Sequence, residues 1–249
     1  MNPVFSIITV TYNASLFLES TIQSILSQTY QHIEFLIIDG ASTDGTQDII
    51  RKYESRISYW ISEPDRGLYD AMNKGIAKAT GDYLWFINAG DQIYSSQTIA
   101  QLVSKRNNTF PDIIYGETEI IDSDGKTIGM RRLRAPEKLN WKGFRQGMLV
   151  CHQSFIVKRE IAELYDLSFR FSSDFDWCIR CMKKAHSIFN THLTLSKFLE
   201  AGMTSENRKK SLKERYRIMV KYYGKIPTQL RHLWFALRFC FAKYLKGRV

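Results

Sequence analysis

Residues 67–91, GLYDAMNKGIAKATGDYLWFINAGD, place a helix pattern, a break and a strand pattern in direct succession. Apolar residues recur at helical spacing at Leu68, Met72, Ile76 and Ala79. Gly81 and Asp82 end that pattern, and residues 83–87 are continuously apolar, which predicts a strand covered on both faces. The segment therefore predicts a helix and a buried strand that is followed closely by a single acid, Asp91.

The same alternation runs through the chain before this segment. Strand patterns cover Val4–Thr11, Ile33–Asp39 and Ile57–Ile61. Helical spacing follows the first strand at Leu16, Ile22, Ile25 and Leu26, and follows the second at residues 46–53. Strands that alternate with helices predict βαβ units and a parallel sheet. We therefore expect an α/β fold with a doubly wound, mostly parallel sheet, in which residues 1–91 form a Rossmann-like nucleotide-binding half.

The pattern changes after Asp91. Two strand-like runs flank DSDGK, which predicts a hairpin, and two later segments predict helices. These runs are 113–121 and 126–134, and the helical segments are 175–185 and 208–223. We assign residues 92–207 to the second half of a catalytic domain and residues 208–249 to a basic amphipathic tail.

Charge is unevenly distributed along the chain. The chain has 249 residues and a net charge of +10, and 13 of its 35 Lys and Arg residues lie from Arg208 onward, with only one of its 25 acids. The preceding residues thus hold 22 basic and 24 acidic side chains, a balance of −2. A slightly acidic body argues against nucleic acid as a partner, and a basic tail favours a membrane surface or another polyanion.

The cysteines and the N-terminus predict the compartment. Cys151, Cys178, Cys181 and Cys240 match no disulfide framework, and the one CxxC pattern lies in a helical segment, where we expect buried thiols. The first residues, MNPVFSIITVTYN, lack the basic region and long apolar core of a signal peptide. We therefore expect a cytoplasmic protein.

Polar residues cluster at the predicted strand ends. Ligands of doubly wound sheets bind outside the carboxyl ends of the strands. These ends carry Thr11, Asn13, Asp39, Asp65, Arg66 and Asn88 to Asp91. Each acid alone would be a helix cap or a turn residue, but acids at successive strand ends together indicate a ligand site. Neither GxGxxG nor GxxxxGK[ST] is present, so a carboxylate-held divalent cation is the expected way to bind phosphates.

Five segments in order resemble family 2 glycosyltransferases. These are SIITVTYN (6–13), LIIDGASTDGT (36–46), EPDRGLYDAMNKGIAKATGDYLWFINAGD (63–91), CHQSFIVKR (151–159) and SSDFDWCIR (172–180). The resemblance implies a GT-A fold and inverting, hexosyl-type transfer from a nucleotide-diphosphate sugar, most often a UDP-sugar. It is strongest to members that build bacterial surface polysaccharides.

The resemblance also implies roles on the donor side. Asp39 would contact the nucleotide base, with Thr11 and Asn13 in the same pocket and Asp65 and Arg66 near the ribose or phosphates. Asn88 to Asp91 match the metal motif, although Asn88 and Gly90 stand where acids are often found. Asp91 would thus be the only carboxylate for Mn²⁺ or Mg²⁺, while Ala89 and Gly90 would let the diphosphate approach the backbone.

On the acceptor side, the resemblance implies that Asp174 is the general base that deprotonates the attacking hydroxyl. Ser173 stands where the family usually has Glu. Asp176 is the alternative base, and it would otherwise be an acid favoured by the helix dipole. His152 and Gln153 match a segment near the acceptor.

The tail has two open interpretations. Apolar residues share one helical stripe, namely Leu230, Leu233, Trp234, Leu237, Phe241, Tyr244 and Leu245. Arg238 and Lys243 interrupt the run, so a helix lying in a membrane interface is favoured over a spanning one. The alternative is a helix packed on the catalytic body or in a homodimer. A lipid-linked saccharide acceptor favours peripheral contact with the inner face of the cell membrane.

Two other functions remain open at this point. A sugar-nucleotidyltransferase also combines a Rossmann-like half with a metal, but it would normally have a glycine-rich basic loop after the first strand, and TVTYNASLFL has no glycine. A non-catalytic nucleotide-sugar-binding partner would not need Asp39, Asp91 and Asp174, although the thinned metal motif is compatible with it.

Overall fold

The computed structural model describes residues 2–105, 110–200 and 207–246. Within these ranges nine strands form one sheet. The strands are β1 (Phe5–Thr11), β2 (Ile33–Asp39), β3 (Tyr59–Ser62), β4 (Tyr83–Phe86), β5 (Gln92–Ile93), β6 (Ile113–Ile121), β7 (Thr127–Met130), β8 (Phe155–Lys158) and β9 (Ile188–Leu199). The α-helices are α1 (Leu18–Leu26), α2 (Thr46–Lys52), α3 (Leu68–Lys78), α4 (Thr98–Lys105), α5 (Ser173–Lys184), α6 (Arg208–Tyr223) and α7 (Lys225–Lys246). Short 3-10 helices cover Glu54–Arg56, Trp141–Gln146, His152–Ser154 and Arg159–Ile161.

The sheet has the order β3-β2-β1-β4-β8-β6-β9-β5, and β7 pairs with β6. Strands β3, β2, β1 and β4 are parallel, as are β6 and β9, whereas β8 runs antiparallel to both β4 and β6. The predicted α/β class with a mostly parallel sheet is confirmed. The antiparallel strand β8 joins the two halves, and its start therefore lies beside the end of β4.

Strand β1 lies between two apolar layers, one on each face of the sheet. All seven of its residues are buried, with Phe5 and Ile7 in one layer and Ile8 and Val10 in the other. This period-two division explains the unbroken apolar run, because both faces of the strand are covered. Helix α3 lies so close to β1 that a Cβ on Gly75 would come within 2.5 Å of Ile8 Cγ2.

Three elements lie outside the predicted patterns: α4, β5 and the 12-residue strand β9. Strand β9 pairs with β6 through a register that shifts on both sides of Glu117. Near this irregularity His192 has a φ of 54°, and a Cβ on Gly116 would lie 2.4 Å from the Leu193 carbonyl oxygen. These irregularities break the two-residue period on which a sequence-based strand prediction depends.

Helix α6 packs on the catalytic half, although the charge pattern groups it with the tail. Ser211, Ile218 and Met219 are buried. The fully buried carboxylate of Asp176 in α5 accepts hydrogen bonds from Lys221 Nζ at 2.9 Å and from the Tyr222 hydroxyl at 2.8 Å. The two interpretations of the tail concern the apolar stripe of residues 230–245, which lies in α7, so this contact of α6 does not decide between them.

We expect Asp176→Ala to destabilise the protein by about 1.5–3 kcal/mol, because it removes a fully buried carboxylate that accepts hydrogen bonds from Lys221, which is partly exposed, and from Tyr222. Asp176 also pairs with Arg180 at 2.6 Å, so the substitution breaks contacts within α5 and between α5 and α6. Urea unfolding would measure the loss. Asp48→Ala is the control, because its side chain is 81% exposed and pairs with Arg51 alone within the described residues. Equal, small effects of the two substitutions would contradict a structural role for Asp176.

Candidate active site

A cleft of about 910 Å³ lies at the carboxyl ends of the parallel strands. Residues from the ends of β1, β2 and β4 and from the loop after β3 contribute to its walls. These residues include Thr11, Tyr12, Gly40, Ala41, Asp65, Arg66, Asn88 and Ala89. The structure thus brings together the polar strand ends that the sequence pattern singles out.

The first wall is built around a turn after β2. Asp39 is fully buried, and its carboxylate accepts hydrogen bonds from the backbone and hydroxyl of Ser42 and from the hydroxyl of Ser62. Asn13, with a φ of 47°, accepts a hydrogen bond from the Thr43 backbone N–H at 3.0 Å. Asp39 therefore holds the turn that precedes the lining residues, and its contact with a nucleotide base stays a prediction.

The second wall contains Asp65 and Arg66. Asp65 accepts a hydrogen bond from the Gly67 N–H at 2.7 Å, and its other oxygen lies where a Cβ on Gly40 would be only 2.5 Å away. Glycine at position 40 therefore leaves room for this carboxylate. Arg66 is largely exposed and bonds to Asp70 at 3.0 Å, so it can exchange that partner for an anionic ligand.

The turn at residues 88–91 closes the inner end of the cleft. Asn88 and Ala89 line the cleft, and Asn88 Oδ1 is buried without a hydrogen-bond partner among the described residues. Gly90 has a φ of 98° and is buried, and a Cβ there would meet Leu199 Cδ2 at 2.7 Å. The positive φ and the close approach of Leu199 thus explain why residue 90 is a glycine. The expectation that Gly90 makes room for a diphosphate is not needed to account for it.

Asp91 is 5% exposed, and neutral donors hold its carboxylate. Gln153 Nε2 donates to Oδ2 at 2.7 Å, and the Leu199 backbone N–H donates to Oδ1 at 3.1 Å. Burial raises the pKa of Asp91 to about 6, and these hydrogen bonds oppose the rise only partly. A buried carboxyl group with this pKa is a candidate partner for an added cation.

The side chain of His152 lies between the turn at residues 88–91 and helix α5. Its Nε2 lies 3.3 Å from Asn88 Nδ2, and its Nδ1 lies 3.5 Å from Asp174 Oδ2. With the amide in this orientation, Asn88 donates to Nε2, so the ring proton is on Nδ1 and faces Asp174. His152 and Gln153, which were expected near the acceptor, therefore connect residues 88–91 to α5.

Asp174 lies in the first turn of α5, and most of its side chain is buried. Its Oδ1 accepts hydrogen bonds from the Tyr69 hydroxyl at 3.0 Å and from the Phe175 N–H at 2.9 Å. Burial raises the pKa of this carboxyl group, but His152, the charge of Arg215 and Tyr69 outweigh it, so the net pKa is lowered. The group is therefore a carboxylate at neutral pH.

The alternative base is excluded by its contacts. Asp176 is 0% exposed, and its two oxygens bind Arg180, Lys221 and Tyr222. A general base must reach the proton that it removes. The assignment of Asp176 to the acceptor side is therefore wrong: it fastens α5 to α6.

Several site residues are ones to which the motifs assign no role. Tyr69 contacts Asp174, and Arg215 lowers the pKa of that group from α6. Glu214 accepts hydrogen bonds from the Arg170 and Phe171 backbone N–H groups at 2.9 and 2.8 Å, and Arg170 lines the cleft. Tyr69 lies inside the quoted helix pattern and could have been considered, whereas Glu214 and Arg215 are hidden in a run of basic residues.

Asn88, in the cleft wall, and the buried Asp91 three residues later offer oxygen atoms for one hard cation that takes most of its ligands from water and phosphate. Among the residues that the structure describes, no group of three or more His, Cys, Asp or Glu side chains could hold a metal ion. Asn88 Oδ1 has no partner there, and the charge of Asp91 has only neutral donors at hydrogen-bond distance. A cation that keeps water and phosphate ligands needs no more than one or two protein oxygens.

Two further expectations concern the burial of the cysteines and the membrane-spanning capacity of the helices. Cys178 and Cys181 are buried in α5, as expected, and burial raises the pKa of Cys181 to about 12. No helix in the described ranges has the length and apolar character that crossing a bilayer requires.

Comparison with known proteins defines the class. The family model described as Glycosyl transferase family 2 matches residues 6–165. An uncharacterized glycosyltransferase of Mycobacterium tuberculosis is 31% identical over 99% of this chain and 91% of its own length. A putative teichuronic acid biosynthesis glycosyltransferase of Bacillus subtilis is 27% identical over 99% of this chain and 96% of its own length. The chain belongs to glycosyltransferase family 2.

Solved structures show the same fold at low identity. S. aureus TarS 1–349 in complex with UDP-GlcNAc superposes with a TM-score of 0.67 at 15% identity, covering 87% of this chain and 66% of that chain. The mannosyltransferase PcManGT of Pyrobaculum calidifontis, in complex with GDP-Man and Mn²⁺, gives 0.66 at 16% identity, covering 93% of this chain and 69% of that one. This chain thus spans about two thirds of the TarS fragment, and the predicted GT-A fold is confirmed.

We expect Asp91→Asn to change how stability depends on pH. A carboxyl group whose pKa rises from 3.8 to about 6 on folding binds its proton more tightly in the folded state, so ionisation destabilises that state. Relative to Asp91→Asn, the wild type should therefore lose stability as the pH rises from about 4 to about 7, by about 3 kcal/mol in total. Urea unfolding at several pH values would measure the difference. Asp124→Asn, on the exposed β6–β7 turn, should show no such trend. A pH-independent difference for Asp91→Asn would contradict the shifted pKa.

Proposed function

We propose that the protein is an inverting glycosyltransferase that moves a hexosyl-type group from a nucleotide-diphosphate sugar to a saccharide hydroxyl. The observation that carries this proposal is the link from the cleft turn to α5: Asn88, His152 and Asp174 follow one another at 3.3 and 3.5 Å. A group for the departing side, in the cleft wall, and a group for the attacking side, on α5, are thereby linked through one side chain. Inverting transfer by one displacement needs both.

Donor binding would use the cleft between the strand ends. Thr11 Oγ1 is buried without a partner among the described residues and lines the cleft, as do Asp65 and Arg66. Arg66 would release Asp70 to bind phosphate oxygens, and Asp65 would accept from ribose hydroxyls. A sugar nucleotide satisfies hydroxyl, carboxylate and guanidinium groups at once, which supports it as the ligand.

Asp174 would be the general base. Its lowered pKa keeps it ionised, so it can accept the proton as the acceptor hydroxyl becomes more acidic during attack. Tyr69 and the Phe175 N–H hold Oδ1, which leaves Oδ2, the oxygen near His152, to face the hydroxyl. His152 would position the carboxylate.

A divalent cation, Mn²⁺ or Mg²⁺, when bound, supplies positive charge for the departing diphosphate. Asp91 and Asn88 Oδ1 would hold it. Gln153 and the Leu199 N–H would fix the Asp91 carboxylate for this purpose, because they restrain both of its oxygens. The PcManGT complex contains Mn²⁺ with its donor, which supports such a site in this fold.

Related proteins support a proposal for the donor and the acceptor. The TarS structures contain UDP or UDP-GlcNAc, and relatives are named for teichuronic acid or PGL/p-HBAD biosynthesis. We infer a UDP-sugar donor and a lipid-linked saccharide acceptor in bacterial polysaccharide biosynthesis. The protein would work as a peripheral protein on the cytoplasmic face of the membrane, with contact through the 208–249 region.

We expect Asp174→Asn and Asp91→Ala to fail in different ways. Asp174→Asn keeps an oxygen for Tyr69 and the Phe175 N–H, so donor affinity should change little while turnover falls about 10²- to 10⁴-fold. Asp91→Ala should weaken donor binding in the presence of Mn²⁺. Calorimetric titration with UDP-sugar and a UDP-release assay would separate the two effects.

Asp124→Asn is the control for both variants. Equal turnover of Asp174→Asn and wild type at full donor occupancy would remove Asp174 from the chemistry. Pyrophosphate release from a nucleoside triphosphate and a sugar phosphate would instead support a nucleotidyltransferase, and donor binding without any turnover would support a binding partner.

The donor itself can be identified by its stabilising effect. A ligand that binds only the folded state raises the melting temperature by an amount that grows with the logarithm of its concentration relative to its Kd. We expect a UDP-sugar with Mn²⁺ to raise the melting temperature more than UDP-sugar with EDTA, and more than the corresponding ADP-sugar. Equal shifts with and without Mn²⁺ would argue against a cation at Asp91.

A further inference from the structure

The described part of α7 turns apolar side chains away from the body. Of its large apolar residues, Phe235 is half-buried beside His232, whereas four others are more than half exposed: Ile226 (70%), Leu230 (63%), Leu233 (58%) and Trp234 (58%). Their spacing places them on one face of the helix, whereas Thr228, at 1% exposure, faces inward. The first turns of α7 therefore present an uncovered apolar row, although α6 before them packs on the body.

A pocket of about 370 Å³ adjoins this row. It lies between the 3-10 helix Trp141–Gln146 and the α6–α7 corner. Its lining residues are Trp141, Lys142, Arg145, Met219, Tyr222, Tyr223, Pro227, Thr228 and Arg231. The Trp141 and Tyr223 rings stack with centroids 5.8 Å apart, and Tyr223 donates to the Trp141 carbonyl at 2.6 Å, so the wall is rigid.

The pocket is positively charged. Lys142, Arg145 and Arg231 line it, and none of the lining residues is acidic. The ion pairs of the described residues leave these three cations without a carboxylate partner. Asp176, behind Tyr222, is already neutralised by Arg180 and Lys221. The pocket therefore favours an anion.

One lining group lacks a hydrogen-bond partner. Thr228 Oγ1 is buried and has no partner among the described residues. Buried hydroxyl groups are normally paired, so this orphan indicates a ligand with a hydrogen-bond acceptor. Phosphate oxygens accept both from a hydroxyl and from Lys or Arg, which fits all the polar lining groups that are not already paired.

We propose that this pocket binds the phosphate group of an anionic membrane lipid while the apolar row of α7 lies in the bilayer interface. At a membrane surface the lipid phosphates lie outside the acyl chains, and aromatic and apolar side chains insert where the two regions meet. The basic pocket and the apolar row beside it match this arrangement. The proposal deepens the membrane contact of the proposed function, but it does not depend on the sugar-transfer chemistry.

A second copy of the chain is a poorer occupant. From Arg208 onward the sequence has 13 basic residues and one acid, so a symmetric contact between two such surfaces would bring like charges together. An anionic bilayer neutralises the same charges.

The pocket also has a defined relation to the candidate base. Tyr222, in its wall, bonds to Asp176, and Phe144, in the same 3-10 helix as Trp141, stacks on Phe175 with centroids 5.5 Å apart. Asp174 lies in that same first turn of α5. Lipid bound in the pocket would thus orient the acceptor half of the site toward a membrane-borne saccharide.

Vesicle sedimentation of the full chain tests the proposal. We expect the wild type to bind vesicles of phosphatidylcholine plus phosphatidylglycerol and to bind pure phosphatidylcholine weakly. Arg145→Ala with Arg231→Ala should lower binding to the anionic vesicles at least tenfold. Lys209→Gln with Lys213→Gln removes the same charge from exposed sites on α6 and should lower it much less. Equal losses of vesicle binding in both double variants would contradict a phosphate site in the pocket and would indicate general electrostatic attraction instead.

The apolar row and the source of the phosphate are tested separately. Leu230→Gln with Leu233→Gln should lower vesicle binding while the protein keeps its mass in solution. A wild-type dimer that this variant converts to a monomer would overturn the lipid assignment in favour of a contact between copies. If inorganic phosphate raises the melting temperature as much as anionic vesicles do, the assignment of the bound phosphate to a lipid would be overturned.

Donor hydrolysis in the same preparations separates this proposal from the proposed function. The Arg145→Ala with Arg231→Ala variant should hydrolyse UDP-sugar at the wild-type rate, since both residues lie outside the cleft. Absent hydrolysis in every protein, with vesicle binding as expected, would count against the proposed function alone. A loss of hydrolysis in this variant only would overturn the assignment of the pocket as a separate lipid site.

Discussion

The hydrogen bond from Gln153 to Asp91 joins the two halves of the molecule at the site. It exists because β8 runs antiparallel to β4, so the residues just before β8 lie beside those just after β4. The same juxtaposition brings His152 to Asn88 and thereby to Asp174. Each of these contacts spans more than twenty residues of sequence, and all of them require that one strand reverse its direction in an otherwise mostly parallel sheet.

The nucleotide-binding half could be predicted almost to the residue because its signals are local. The strand Ile33–Asp39 and the helix that begins at Leu68 match their predicted bounds, since continuous apolar runs and helical spacing are complete within each segment. Two details differ: Leu16 is 87% exposed and lies before α1 begins, and the strand predicted from Ile57 begins at Tyr59. Spacing alone does not show where a helix starts when the cap residues are ambiguous.

The second half could be predicted only in part, because its elements depend on remote partners. Strand β9 is irregular where it passes Glu117, and no periodic pattern marks such a strand. The site shows the same limit: the motif places Asp91 at a strand end, but the Leu199 N–H that binds it comes from β9. Charge composition likewise could not separate α6, which docks through Glu214 and Lys221, from α7, where Ile226, Leu230, Leu233 and Trp234 face outward.

The two site carboxylates have opposite pKa shifts, and this difference fits the roles proposed for them. Burial acts on both, but Asp174 has His152, Arg215 and Tyr69 to stabilise its charge, whereas Asp91 is hydrogen-bonded by an amide and a backbone N–H. A carboxylate with compensating partners stays ionised and can accept a proton. One with a raised pKa gains more from an incoming cation, because the cation supplies the charge that its own surroundings lack. The environments of Asp174 and Asp91 are therefore consistent with the base and the metal anchor proposed for them, and the lowered pKa makes Asp174 a weaker base than a carboxylate tuned near neutral pH.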